Sequence, residues 1–77
     1  MNYKIKIMTK LEAISAMSQG KKVTHRYFDK DEWVTMSASH FLFEDGVSCS
    51  PVIFWQYRQG KEWLIDWSEW TPCVELQ

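Results

Sequence analysis

The chain has 77 residues, nine basic against ten acidic, and twelve aromatics made up of five Trp, four Phe and three Tyr. That length suits one domain spanning residues 1–77 and leaves no room for a second. A formal charge of −1 argues against a general nucleic-acid binder, which carries a basic excess, and falls short of the acidity of a DNA mimic.

A domain this small buries only about 60% of its unfolded surface, so its core must be efficient or shared with a partner. Aromatic side chains that each bury roughly 150–250 Å² make that possible. Twelve of them exceed what one small core hides, which points to a homo-oligomer with Trp55, Trp63 and Trp70 at a self-interface. No apolar run reaches the ~18–20 residues of a membrane span. The first ten residues hold three lysines and no small-residue cleavage site, so a secretory signal is not expected and the cytoplasm is the expected location. Cys49 and Cys73 match no disulfide framework or metal-site spacing and read as free thiols.

Along the chain, Tyr3, Ile5 and Ile7 alternate with Lys4 and Lys6, so residues 1–8 read as an edge strand or as a loose extension. Thr9-Lys10-Leu11-Glu12 is a capping box. It opens a helix from Lys10 to Gln19 whose apolar face is Leu11, Ile14 and Met17, with Ala13 and Ala16 at its flanks. Gly20 stops that helix. A strand from Lys22 to Phe28 follows, with Val23, His25 and Tyr27 on one face and Lys22, Thr24, Arg26 and Phe28 on the other. Further strands are expected from Glu32 to Ala38 and from His40 to Glu44. Asp45-Gly46 is the signature of a two-residue type I′ hairpin, with Val47-Ser48-Cys49 returning. Ser50-Pro51 reads as an N-cap and first helical residue, opening a short helix that Gly60 ends. A final strand is expected from Glu62 to Trp67. The pattern predicts an α+β domain: an N-terminal helix packed on an antiparallel sheet of about four strands, with a short second helix.

His25 and His40 stand at no metal-ligand spacing with the cysteines. No phosphate loop, nucleophile elbow or paired-carboxylate signature is present, so no enzyme activity, metal or cofactor is expected. The carboxylates of Asp29, Asp31, Glu32, Glu44 and Asp45 fall in turns and lack the spacing of a calcium loop. Lys21, Lys22, His25 and Arg26 stand beside Tyr27, Phe28 and Trp33. Cations hold anionic oxygens and aromatic faces stack on planar rings, the two things a nucleotide offers. Lys22, Arg26 and Phe28 are therefore the candidate ligand residues, with Lys22 and Arg26 about 13 Å apart at ~3.3 Å per residue of strand. The same residues also fit an ordinary half-exposed sheet with solvated charges and core aromatics, and both readings stand at this point.

From Glu12 to Val23 the chain reads Glu-Ala-Ile-Ser-Ala-Met-Ser-Gln-Gly-Lys-Lys-Val, followed by Arg26 and Tyr27-Phe28, and it closes near Asp66-Trp67. This resembles the phage anti-Thoeris family, small α+β sponges that sequester cyclic nucleotide immune signals as oligomers. Ser39 to Gly60 departs from that pattern. The resemblance implies a phage or prophage inhibitor of host defence that binds a small anionic nucleotide without catalysis. The competing expectations are an inhibitor that binds a host defence protein, as anti-CRISPR proteins do, and a structural or regulatory phage module.

Overall fold

The computed structural model describes residues 6–72. Helix α1 spans Lys10–Ser18, and both halves of its capping box form. The Glu12 amide donates to Thr9 Oγ1 at 3.2 Å and the Thr9 amide to Glu12 Oε1 at 2.9 Å. Gly20, at φ 87°, donates its amide to the Met17 carbonyl at 2.9 Å and turns the chain toward the sheet. The buried face differs from the expected one. Ala13 and Met17 are fully buried, with Ile14 and Ala16 packed at the margin, whereas Leu11 is 76% exposed. A methyl at position 13 lets the helix lie close on the sheet, and that contact line leaves Leu11 over solvent.

The sheet has five antiparallel strands in the order β4-β3-β2-β1-β5, one more than expected. They are β1 (Val23–His25), β2 (Val34–Ser37), β3 (His40–Phe43), β4 (Ser48–Cys49) and β5 (Trp67–Glu69). The long first strand expected to reach Phe28 stops at His25. There the Phe28 amide folds back onto the His25 carbonyl at 2.8 Å. The expected strand over Glu62 to Trp67 is instead a 3-10 turn, Lys61–Trp63, followed by β5 beginning at Trp67. The alternation of Trp63, Ile65 and Trp67 misleads because Asp66 adopts φ 74°, a conformation that interrupts any strand. β5 then pairs with β1 through Val23↔Glu69, Thr24↔Ser68 and His25↔Trp67.

The type I′ turn expected at Asp45-Gly46 is found at another position. At Asp45-Gly46 only Gly46 has positive φ, 88°. The Gly46 amide donates to the Phe43 carbonyl at 3.0 Å, and the Phe43 amide donates to the Val47 carbonyl at 2.9 Å. This is a three-residue loop closed by a glycine bulge, not a type I′ turn. Asp45 caps it by accepting from the Val47 amide at 3.0 Å. The type I′ signature belongs to Ala38 and Ser39, at φ 51° and 68°, between the paired Ser37 and His40.

Helix α2, Pro51–Gln56, begins as its sequence requires, with Ser50 Oγ accepting from the Ile53 amide. The core comprises Met8, Ala13, Met17, Val23, Val34, Phe41, Phe54 and Trp67. Phe41 and Phe54 meet edge to face at 4.7 Å, and the Trp67 indole N–H donates to the Trp63 carbonyl at 2.8 Å. Met8 forms an antiparallel bridge with Trp67 on the outer side of β5. Tyr3 and Ile5 of the expected edge strand, and Cys73, lie outside the described residues. Cys49 is a free thiol. No helix among the described residues is long and apolar enough to cross a membrane.

Candidate ligand sites

Lys22, just ahead of β1, places its ammonium 4.4 Å from the centre of the Trp33 ring and 5.8 Å from that of Trp70. The two indoles stand 6.0 Å apart. Trp70 is fixed twice, its amide donating to the Lys22 carbonyl at 2.8 Å and its indole N–H to the Lys30 carbonyl at 2.9 Å. The result is a cation beside two indoles tilted at 44° to each other, at the start of the strand that the sequence singles out.

Arg26 does not join it along a strand face, because β1 has already ended. It sits in the following turn, its side chain 72% exposed, with a 3.8 Å ion pair to Asp66. A surface pair this long contributes little, so its guanidinium is accessible. Phe28 is committed elsewhere. Its ring packs 5.8 Å from Trp67 and 6.2 Å from Trp63, part of the layer flanking the core. The structure therefore separates the three candidate ligand residues into three environments.

His25 is buried, only 4% exposed, where a half-buried sheet residue was expected. Its Nδ1 accepts from the Tyr27 amide at 3.1 Å, which leaves Nε2–H to donate to both the Glu62 and Ile65 carbonyls at 2.9 Å. One ring thus ties β1 to the segment that contains the 3-10 turn. His40 is exposed and lies over its own turn, Nδ1 at 3.2 Å from the Ala38 carbonyl. Among the described residues no group of three His, Cys, Asp or Glu side chains is placed to hold a metal ion.

Trp55 and Trp63, expected at a self-interface, are half-buried against the core. Trp55 packs 4.8 Å from Phe54 and 5.7 Å from Trp67, and Trp63 lies 4.3 Å from His25. The large apolar residues left exposed include Val52 and Ile53 on α2, Tyr57 just after it, and Leu11, Tyr27, Val47 and Leu64 elsewhere.

A hollow of about 600 Å³ opens beside α2, lined among others by Lys10, Val52, Trp55, Gln59, Arg58 and Leu64. The Lys10 ammonium sits 4.2 Å above the Trp55 ring. The Arg58 guanidinium lies 4.1 Å above the Phe54 ring, with Phe28 and Trp63 just beyond. Burial pulls the Arg58 pKa below the ordinary arginine value, while Cys49 and Glu32 act in the opposite direction. Neither cation was singled out from the sequence. The Phe54-to-Arg58 spacing, one helical turn, was the only local signal, and Lys10 meets Trp55 only through the tertiary fold.

No family model, curated protein or solved structure matches the chain.

Proposed function

We propose that the protein is a non-enzymatic binding protein that sequesters a small anionic nucleotide, acting as a phage-borne inhibitor of host defence. The observation that carries the reading is the Lys22 ammonium grouped with two indoles, 4.4 Å from the Trp33 ring centre and 5.8 Å from that of Trp70. An ammonium there supplies a charge-assisted hydrogen bond to phosphate. The indoles supply the stacking faces that Phe28, packed on Trp67, does not. Arg26, exposed in the next turn, offers a second phosphate contact. The resemblance of Glu12 to Val23 to the sponge family supports the same ligand class and an oligomeric, cytoplasmic setting in the host.

Calorimetry with a panel of cyclic mono- and dinucleotides tests this. Wild type should bind a member of the panel, and Lys22→Ala and Arg26→Ala should each weaken binding by about tenfold, at ~1.4 kcal/mol per decade. Absence of heat across the panel overturns the proposal for every nucleotide in it. The second reading, a blocker of a host defence protein, is favoured by the exposed Val52 and Ile53 on α2 and Tyr57 at its C-cap. Under that reading no nucleotide binds, and Tyr57→Ala abolishes the inhibition of host defence that wild type shows in infected cells, whereas Lys22→Ala leaves it intact.

A further inference from the structure

We propose that the hollow between the start of α1, α2 and the 3-10 segment is a second binding site, for a small organic oxyanion carrying an apolar ring. It shares no residue with the Lys22 and Arg26 surface and stands independently of the nucleotide reading.

The argument begins with charge. Lys10 and Arg58 both line the hollow, and none of the residues lining it is acidic. Among the described residues the one ion pair within 4.0 Å is Arg26–Asp66, so neither Lys10 nor Arg58 is held in a close ion pair there. Arg58 spends Nη1 on the Phe54 carbonyl at 3.2 Å, while its buried Nε has no hydrogen-bond partner among the described residues. A guanidinium held in an aromatic sleeve, with its pKa lowered by burial, is a charge whose solvation is incomplete. An anion in the hollow that Arg58 lines would favour that charge.

The second part is placement. The Lys10 backbone is pinned by its amide to the Leu64 carbonyl at 2.9 Å, and this fixes where its side chain starts. The ammonium rests on the Trp55 face, a contact weaker than a charge-assisted hydrogen bond to an oxyanion. Lys10 can therefore exchange the ring for a ligand's oxygens and uncover the indole as a stacking face.

The third part is the remaining wall. Val52 and Leu64 are 76% and 55% exposed and flank Trp55, so the hollow joins apolar surface to paired cations. Its volume of about 600 Å³ falls in the range of sites that hold ring-sized ligands, roughly 300–1,000 Å³. A bare inorganic ion uses only the cationic half of such a site, and a neutral ring only the apolar half.

The test is an amide and indole NMR titration of the full chain with phenyl phosphate, inorganic phosphate and benzyl alcohol. Phenyl phosphate should bind in the millimolar range or tighter and move the Trp55 indole and Gly60 amide signals. Inorganic phosphate and benzyl alcohol should each bind at least about tenfold more weakly. Lys10→Gln, its fold checked by circular dichroism, should weaken phenyl phosphate about tenfold, whereas Lys22→Ala should not. The proposal is overturned by an unmoved Trp55 indole, by equal affinity for either simpler probe, or by a Lys10→Gln variant that binds as wild type does. Arg58→Lys keeps the charge but loses the planar fork. It should retain part of the affinity, and full retention of affinity by a folded Lys10→Gln/Arg58→Gln variant overturns the role of the cations.

Discussion

The imidazole of His25 and the indole of Trp63 lie 4.3 Å apart at 33°, close to parallel, and the backbone beside Trp63 accepts from that same imidazole through Glu62. Stacking and hydrogen bonding thus act on one element from one residue. The 3-10 turn has few backbone bonds of its own, and His25 is what holds it against β1.

His25→Phe should keep the stacking and lose the hydrogen bonds. The Glu62 and Ile65 carbonyls and the Tyr27 amide would then lack their partner. Leaving such buried groups unsatisfied costs about 1–3 kcal/mol. Urea denaturation should show a lower midpoint by that amount with an unchanged slope.

Ala38 and Ser39 both adopt positive φ without the glycine or asparagine that a type I′ turn favours. Ala38→Asn combined with Ser39→Gly should raise stability by about 1 kcal/mol, since each non-glycine residue in this region costs on the order of 1 kcal/mol. A thermal melt reads the result directly as a higher Tm.

Gly46 has no atom within 4 Å of where a Cβ would stand, so a substitution there meets only backbone strain. Gly46→Val should destabilise by about 1–3 kcal/mol, and Gly46→Asn by much less, because asparagine tolerates the left-handed region. Comparing the two melts separates conformation from packing.

The buried face of α1 gives a fourth test. Leu11→Lys should change stability by no more than about 0.5 kcal/mol, as expected for an exposed position. Ala13→Leu should cost about 1–3 kcal/mol or more by overpacking the contact with the sheet. Denaturant titration of both variants decides which face the helix buries.

Features governed by neighbours in sequence were legible. The Thr9 box, the Gly20 stop and the Ser50-Pro51 start all depend on bonds that close within four residues. Strand limits were not, because β1 ends where His25 is claimed by the distant Glu62 and Ile65 carbonyls, and β5 starts where Asp66 reverses φ. Asp45-Gly46 misled since a glycine bulge and a type I′ turn share the same two residues. Lys22 was legible as a cation beside Trp33, but Trp70, the second ring, was not placed there by the sequence. Lys10 was missed because only the tertiary fold brings this lysine over Trp55, and Arg58 because its rings include Phe28, distant in sequence.

The outer side of β5 is occupied by the Met8 bridge, and the opposite margin of the sheet is β4, two residues long and followed at once by Ser50 and Pro51. Short edges and nearby prolines deny an incoming strand the row of donors and acceptors it needs. Copies of this chain that come together must therefore meet through side chains, not by extending one sheet across the boundary, and the protein should resist growth into fibrils even at high concentration.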